Sequence, residues 1–204
     1  MTQEREGLSD PKAMRALAHP ARLMILNRLR VEGSATATEV AEIAGITPSA
    51  ASYHLRMLAK YGFVEDAPPR GDGRERMWQG VDRPLSVGTR PDDEPDVRAA
   101  KTMLITAFRR DANAEADRAL VNADMEAEEW REVTLFSRHR LRLDAAELGR
   151  LSRRIEELLE PYFAQRRDEK EAPEGARVVE AQVNLFPVVA RAVPGLPTED
   201  HGTG

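Results

Sequence analysis

Between Thr36 and Lys60 two short helical segments are separated by only Gly45, Ile46 and Thr47, and this spacing constrains the fold more than any other feature of the chain. Thr36 with Glu39 fits a capping box, and Gly45 is a helix stop. Thr47-Pro48 then restarts a helix as N-cap and first helical residue. So short a turn makes the two helices cross tightly, and the crossing residue must be small. Ala41 holds that place, with Gly45 in the turn and Ile46 behind it in the core. Val40, Ile43 and Ala44 are expected to point inward from the first helix.

The second helix sorts by phase. Ala51, His54, Leu55 and Leu58 share one face, at i, i+3, i+4 and i+7, which points to a core. Ser49, Tyr53, Arg56 and Lys60 lie opposite, with Ser52 beside them. That outward set has no apolar purpose and suits a major groove: Ser and Tyr bond bases or phosphates, Arg bonds guanine in a fork, and Lys neutralises phosphate. The helix start at Pro48-Ser49 also suits a phosphate.

Around this pair the punctuation continues. Asp10-Pro11 opens a helix that runs to His19, whose side chain is placed to cap the helix restarted at Pro20. Leu23, Ile25, Leu26 and Leu29 give that helix a broad apolar face. After Gly62, Phe63–Glu65 and Arg76–Gln79 read as two strands of a hairpin. Its tip is rich in Pro and Gly, and Arg70, Arg74 and Arg76 surround it, placed for phosphate or minor groove. Four helices and a hairpin make residues 1–81 a winged-helix DNA-binding domain.

Leu17-Ala18-His19-Pro20-Ala21-Arg22-Leu23 followed by Ile25-Leu26 resembles the opening signature of ArsR-type regulators. So does Ser52-Tyr53-His54-Leu55-Arg56-Met57-Leu58 with Gly62-Phe63-Val64 behind it. The resemblance covers about residues 10–80; the rest of the chain is similar only in outline to the extended, non-metal members. It implies a homodimer paired through the first helix and the helix after the wing. Met14 and Leu17 on the first, and Met103, Leu104 and Phe108 on the second, with Ala100 and Ala107, supply the apolar faces. Two recognition helices would then stand about one DNA turn apart. The founding members' thiolate metal sites cannot exist here, because the chain has no cysteine.

Residues 82–96, with Pro84, Pro91 and Pro95, read as a linker. A long helix is expected over 97–129. Val133, Leu135, Leu141 and Leu143 alternate with Arg138, Arg140 and Arg142, which reads as a half-buried strand. Asp144 caps a helix with an apolar stripe of Leu148, Leu151, Ile155, Leu158, Leu159 and Tyr162. A charged loop over 166–175 precedes Val179, Ala181, Val183 and Leu185, which alternate as a last strand. The fold class is therefore α+β: a winged helix-turn-helix domain, then a long helix and a small strand–helix–strand domain over 97–190. Residues 191–204 read as a disordered tail. Phe108, Trp130, Phe136, Tyr162, Phe163 and Phe186 would line an apolar pocket for a small-molecule effector, or form ordinary core.

The net charge of −5 argues mildly against nucleic acid, but residues 1–80 carry 11 Lys/Arg against 10 Asp/Glu, so the acidic excess sits in the C-terminal half. No two histidines have metal-ligand spacing, and no metal or cofactor is expected. Enzyme motifs are missing, and Glu132, His139 and Glu180 are too scattered to form a catalytic cluster, so no enzyme is expected. With no signal peptide and no membrane-length apolar run, the expected address is the cytoplasm. The reading is a transcription regulator, a repressor binding double-stranded DNA as a homodimer. The alternative is a winged-helix protein–protein docking module, for which the outward face of Ser49–Lys60 would be dispensable in DNA binding.

Overall fold

The computed structural model describes residues 8–70, 75–82, 85, 87–88, 92–164 and 172–188. Arg74, His201, the 191–204 tail and much of the expected linker and of the 166–175 loop lie outside the described residues.

Side chains close most helix starts as the sequence requires. Asp10 accepts from the backbone of Lys12 at the head of α1 (Pro11–Leu17), and His19 Nδ1 accepts from Ala21 N at the head of α2 (Pro20–Val31). After the two-residue strand β1 (Ala35–Thr36), Thr36 and Glu39 form a reciprocal capping box on α3 (Ala37–Ala44). Gly45 ends α3 with φ +62°, a left-handed conformation that costs a glycine little. Thr47 caps α4 (Pro48–Lys60) through Ala50 N.

Strands β2 (Val64–Ala67) and β3 (Met77–Gly80) form the hairpin. The sheet order is β1-β3-β2, all antiparallel, with Ala35 opposite Trp78 and Asp66 opposite Trp78 on the other side. β1 is too short for any periodicity to announce it. α2 lies over the end of the hairpin: Arg30 donates to the Val81 carbonyl, and a Cβ at Gly80 would come 2.8 Å from Arg30 Cγ.

One core joins these elements. Phe63, Met14, Leu17, Ile25, Leu26, Leu55, Leu58, Val40 and Leu104 are its largest fully buried side chains. Leu104 and Ala100 come from α5 (Pro95–Val121), which packs along α1 and so belongs to the winged-helix core. Leu85 and Val87 of the linker also lie against this core. Lys101 reaches both Asp93 carboxylate oxygens, at 2.6 and 2.7 Å, from a site where both side chains are more than nine-tenths covered.

Several expectations need correction. Met14, Leu17 and Leu104 are fully buried within their own chain, so they are core and not a dimer surface; Phe108 is half-buried on that core, and Met103 alone of the five is exposed. Ile43 stands exposed rather than inward, because α3 buries only Val40 and Ala41. The long helix stops at Val121 instead of 129: Asn122 Nδ2 bonds the Arg118 carbonyl at 2.8 Å, satisfying an orphan acceptor of the last turn. A short helix α6 (Glu128–Val133) follows a 3-10 turn.

The strand–helix–strand expectation holds for its helix, α7 (Ala145–Leu159), capped by Asp144 with Glu147. The flanking segments are extended but pair with no strand among the described residues. Alternation marks a face for burial, while a strand also needs a partner's backbone, and none lies beside them in the chain. The aromatic set does not converge on a pocket either: Phe136, Tyr162 and Phe186 are exposed, and Trp130 lies under the Arg177 guanidinium.

Candidate nucleic-acid interface

The outward face of α4 is formed as the phase of its sequence requires. Ala51, Leu55 and Leu58 are buried, so the helix cannot rotate about its axis without emptying the core. This fixes Ser49, Tyr53, Arg56 and Lys60 outward, with Ser52 half-covered beside them. Among the described residues Arg56 has no ion-pair partner, and Lys60 only rests over the Tyr61 ring. Both are therefore available cations. A groove between this helix and the wing is lined by Thr36, Thr38, Ser52, Arg56, Arg76 and Trp78 together with Glu75, which places hydroxyl and guanidinium groups and one carboxylate along one channel.

The wing arginines are placed differently from one another. Arg76 makes a forked pair with Asp66 across the hairpin, its second bond 3.0 Å, and stacks 4.0 Å over the Trp78 ring. The bond from Arg76 holds the Asp66 carboxyl below the usual range. Arg70 turns back to Glu39 at 3.1 Å and to the Ser34 carbonyl at 2.9 Å. It anchors the base of the wing to the α3 cap instead of standing free. Arg74 lies outside the described residues. Of the eight residues expected at DNA, five lie together on α4, Arg76 joins them from the wing, and Arg70 is engaged elsewhere.

Behind the outward face of α4, His54 packs its ring 4.9 Å from His19 and 5.5 Å from Tyr53, centroid to centroid. Its Nδ1 is buried without a hydrogen-bond partner. Burial lowers the pKa of both imidazoles; Arg22 adds to this at His19, and His19 and then Arg22 add to it at His54. The unfolded chain therefore takes up protons near pH 6.5 that the folded chain refuses. Stability is expected to fall as pH drops from about 7 and to level off once pH passes below the folded values. A His19→Asn/His54→Gln variant should flatten this slope in thermal melts between about pH 7 and 5. An unchanged slope would show that the pair does not carry it.

A second surface lies on α5. Ala99, Thr102, Met103, Thr106, Ala107 and Arg110 form an exposed stripe of mostly small side chains, beside Ala18 at the end of α1. Their spacing of three and four was legible in the sequence, but threonines and alanines carry too little hydropathy to announce a contact face. Among the described residues no group of three or more His, Asp or Glu is placed to hold a metal ion. No helix among them is long and apolar enough to cross a membrane.

A helix-turn-helix domain model matches residues 17–67. Over 51 residues the chain is 47% identical to the HTH-type transcriptional regulator NmtR of Mycobacterium tuberculosis, a match spanning 25% of this chain and 42% of that protein. The chain thus covers less than half the length of that curated relative. Among solved structures, Lactococcus lactis ZitR, as its apo C30AH42A mutant, is 18% identical with a TM-score of 0.32, over 72% of this chain and 83% of that one. The transcriptional regulator Tm0710 of Thermotoga maritima is 13% identical with a TM-score of 0.31, over 75% and 89% of the two chains. The matched span of residues 17–67 holds the helix-turn-helix and the first strand of the wing, and the chain carries, in its N-terminal part, a winged helix-turn-helix domain similar over that span to an HTH-type transcriptional regulator.

Proposed function

We propose that this protein is a sequence-specific transcription regulator that binds duplex DNA as a homodimer. The observation that carries the reading is the outward face of α4: an exposed set of Ser49, Tyr53, Arg56 and Lys60, locked in place by the buried face behind it. Such a helix enters a major groove with its N-terminal residues toward the bases. Arg56 is the base reader, in forked contact with a guanine edge, and Lys60 is a phosphate contact. On the wing, a phosphate or the minor groove competes with Asp66 for Arg76. That exchange costs little, because both partners are exposed.

The homodimer is assigned to the small-residue stripe of α5, whose exposed alanines and threonines allow two helices to approach closely across a two-fold axis. A dimer seated on a promoter excludes other proteins from it, so repression is the simplest outcome.

Operator fragments recovered by selection from random duplexes provide the test. Arg56→Ala is expected to cost ~1–3 kcal/mol and to relax preference at one position in each half-site. Lys60→Ala should weaken binding evenly across sequences and reduce the salt slope by about one. Equal operator affinity of the wild type and both variants would remove α4 as the reading element and favour a docking module.

A further inference from the structure

Among the described residues, fifteen of the twenty large hydrophobic side chains that stand exposed lie between residues 120 and 188. The winged-helix core is complete without them. Two parts of this region differ in their attachment. Residues 176–188 run antiparallel along α5: Arg177 pairs with Glu126 at 2.8 and 3.0 Å, and Gln182 reaches Asn113 at 3.4 Å. This segment and α5 form a platform. Residues 134–164 are an arm. Among the named helices and strands α7 packs chiefly with the turn that follows it, and its apolar stripe is mostly half-covered and nowhere fully buried.

Arm and platform are complementary. Arg138, Arg140 and Arg142 on the even face of the arm have no acidic partner among the described residues. The platform presents Asp111, Glu115 and Glu180 together. Glu115 pairs with Arg118, and Asn27 donates to Asp111 at 3.0 Å, but among the described residues Glu180 has no bonded partner. Burial, with Asp111 and Glu115 nearby, raises the Glu180 carboxyl, and burial with Glu115 raises Asp111, so negative charge there is incompletely balanced.

A strand laid beside 176–188 with its arginines toward these acids turns Leu135, Leu141 and Leu143 to the same side as Val179, Val183 and Leu185. The α7 stripe of Leu148, Leu151, Ile155 and Leu158 matches that joint face. Each chain carries both halves, yet among the described residues no hydrogen bond or ion pair joins its own arm to its own platform.

We propose that two copies of this chain exchange arms, each laying residues 134–143 beside the partner's 176–188 and closing the sheet with α7. The exchange rests on the homodimer reading above and adds to it a second, strand-paired interface. It gives partners to the unpaired backbone and covers the exposed apolar face.

The chain has no cysteine, so introduced thiols report cleanly. Ser137→Cys is placed in one tagged full-length copy and Asn184→Cys in a differently tagged copy. The two are co-expressed and treated with a short bis-maleimide, while mass is read by light scattering. The expected result is a dimer and an adduct carrying both tags. A dimer without that adduct overturns the exchange and leaves the homodimer standing; a monomer mass overturns both. A single chain holding both cysteines that links only within itself shows that the arm folds back, which also overturns the exchange. Charge reversal adds a second arm to the test. Arg138→Glu/Arg140→Glu/Arg142→Glu in both tagged copies, or Glu115→Lys/Glu180→Lys in both, should lose the adduct, and a mixture of one copy of each kind should regain it. Failure of the mixture to recover overturns the assigned contact.

Discussion

Replacing Lys101 by alanine is expected to destabilise the N-terminal domain by about 3–5 kcal/mol, the largest effect expected of any charged side chain among the described residues. Lys101 is 6% exposed and its ammonium bridges both oxygens of Asp93, itself covered. Removing Lys101 takes from the covered Asp93 carboxylate the ammonium that meets both its oxygens, and breaking such a pair from one side costs more than the pair contributes when intact. The site matters because it fixes the start of α5. Asp93 comes from the segment just before the helix, and the Arg15 side chain of α1 pairs with Asp96 one turn away. Urea unfolding is the measurement, and the midpoint should move by more than about 1 M. An Asp93→Asn/Lys101→Met double variant should recover most of the loss, since no lone charge remains. A single-variant loss under about 1 kcal/mol would mean that the pair is solvated and behaves as a surface bridge.

The helical skeleton of the first 60 residues was legible because its signals are local. An Asp-Pro, a Thr-Pro, a Thr three residues before a Glu and a Gly after an apolar run each act within one helical turn. The recognition face was legible for the same reason, since phase follows from the 3.6 period alone. What failed depended on distant partners. Arg70 and Arg76 read as free cations, but the hairpin and the α3 cap bring Glu39 and Asp66 to them. Met14, Leu17 and Leu104 read as a dimer face because periodicity tells which residues are apolar and not which neighbour covers them. In the structure α1 and α5 cover each other, and the outer stripe of α5 is left to small residues. The alternation around residues 135–143 and 179–185 was seen correctly as a pattern. No sequence rule says whether the partner strand belongs to the same chain.

Glutamates at Ala99 and Ala107 are expected to lower affinity for a two-half-site operator by about 10²–10⁴-fold while leaving affinity for a single half-site unchanged. The stripe of Ala99, Thr102, Met103, Thr106 and Ala107 is exposed or half-covered in the single chain, so the substitutions leave its core intact. Across a two-fold axis each appears twice, and like charges then face one another in a contact built for small side chains. In the proposed homodimer, binding of the second α4 is intramolecular only while the α5 contact holds the two heads one DNA turn apart. Without it the second half-site is engaged at bulk concentration, or at a wrong spacing if exchanged arms still tether the copies. Either way the two-half-site advantage is lost and the half-site contacts of Arg56 and Lys60 remain. Titration of both duplexes by anisotropy, with circular dichroism to confirm the fold, reads the difference directly. Unchanged affinity for the full operator would show that the heads are spaced by some surface other than this stripe.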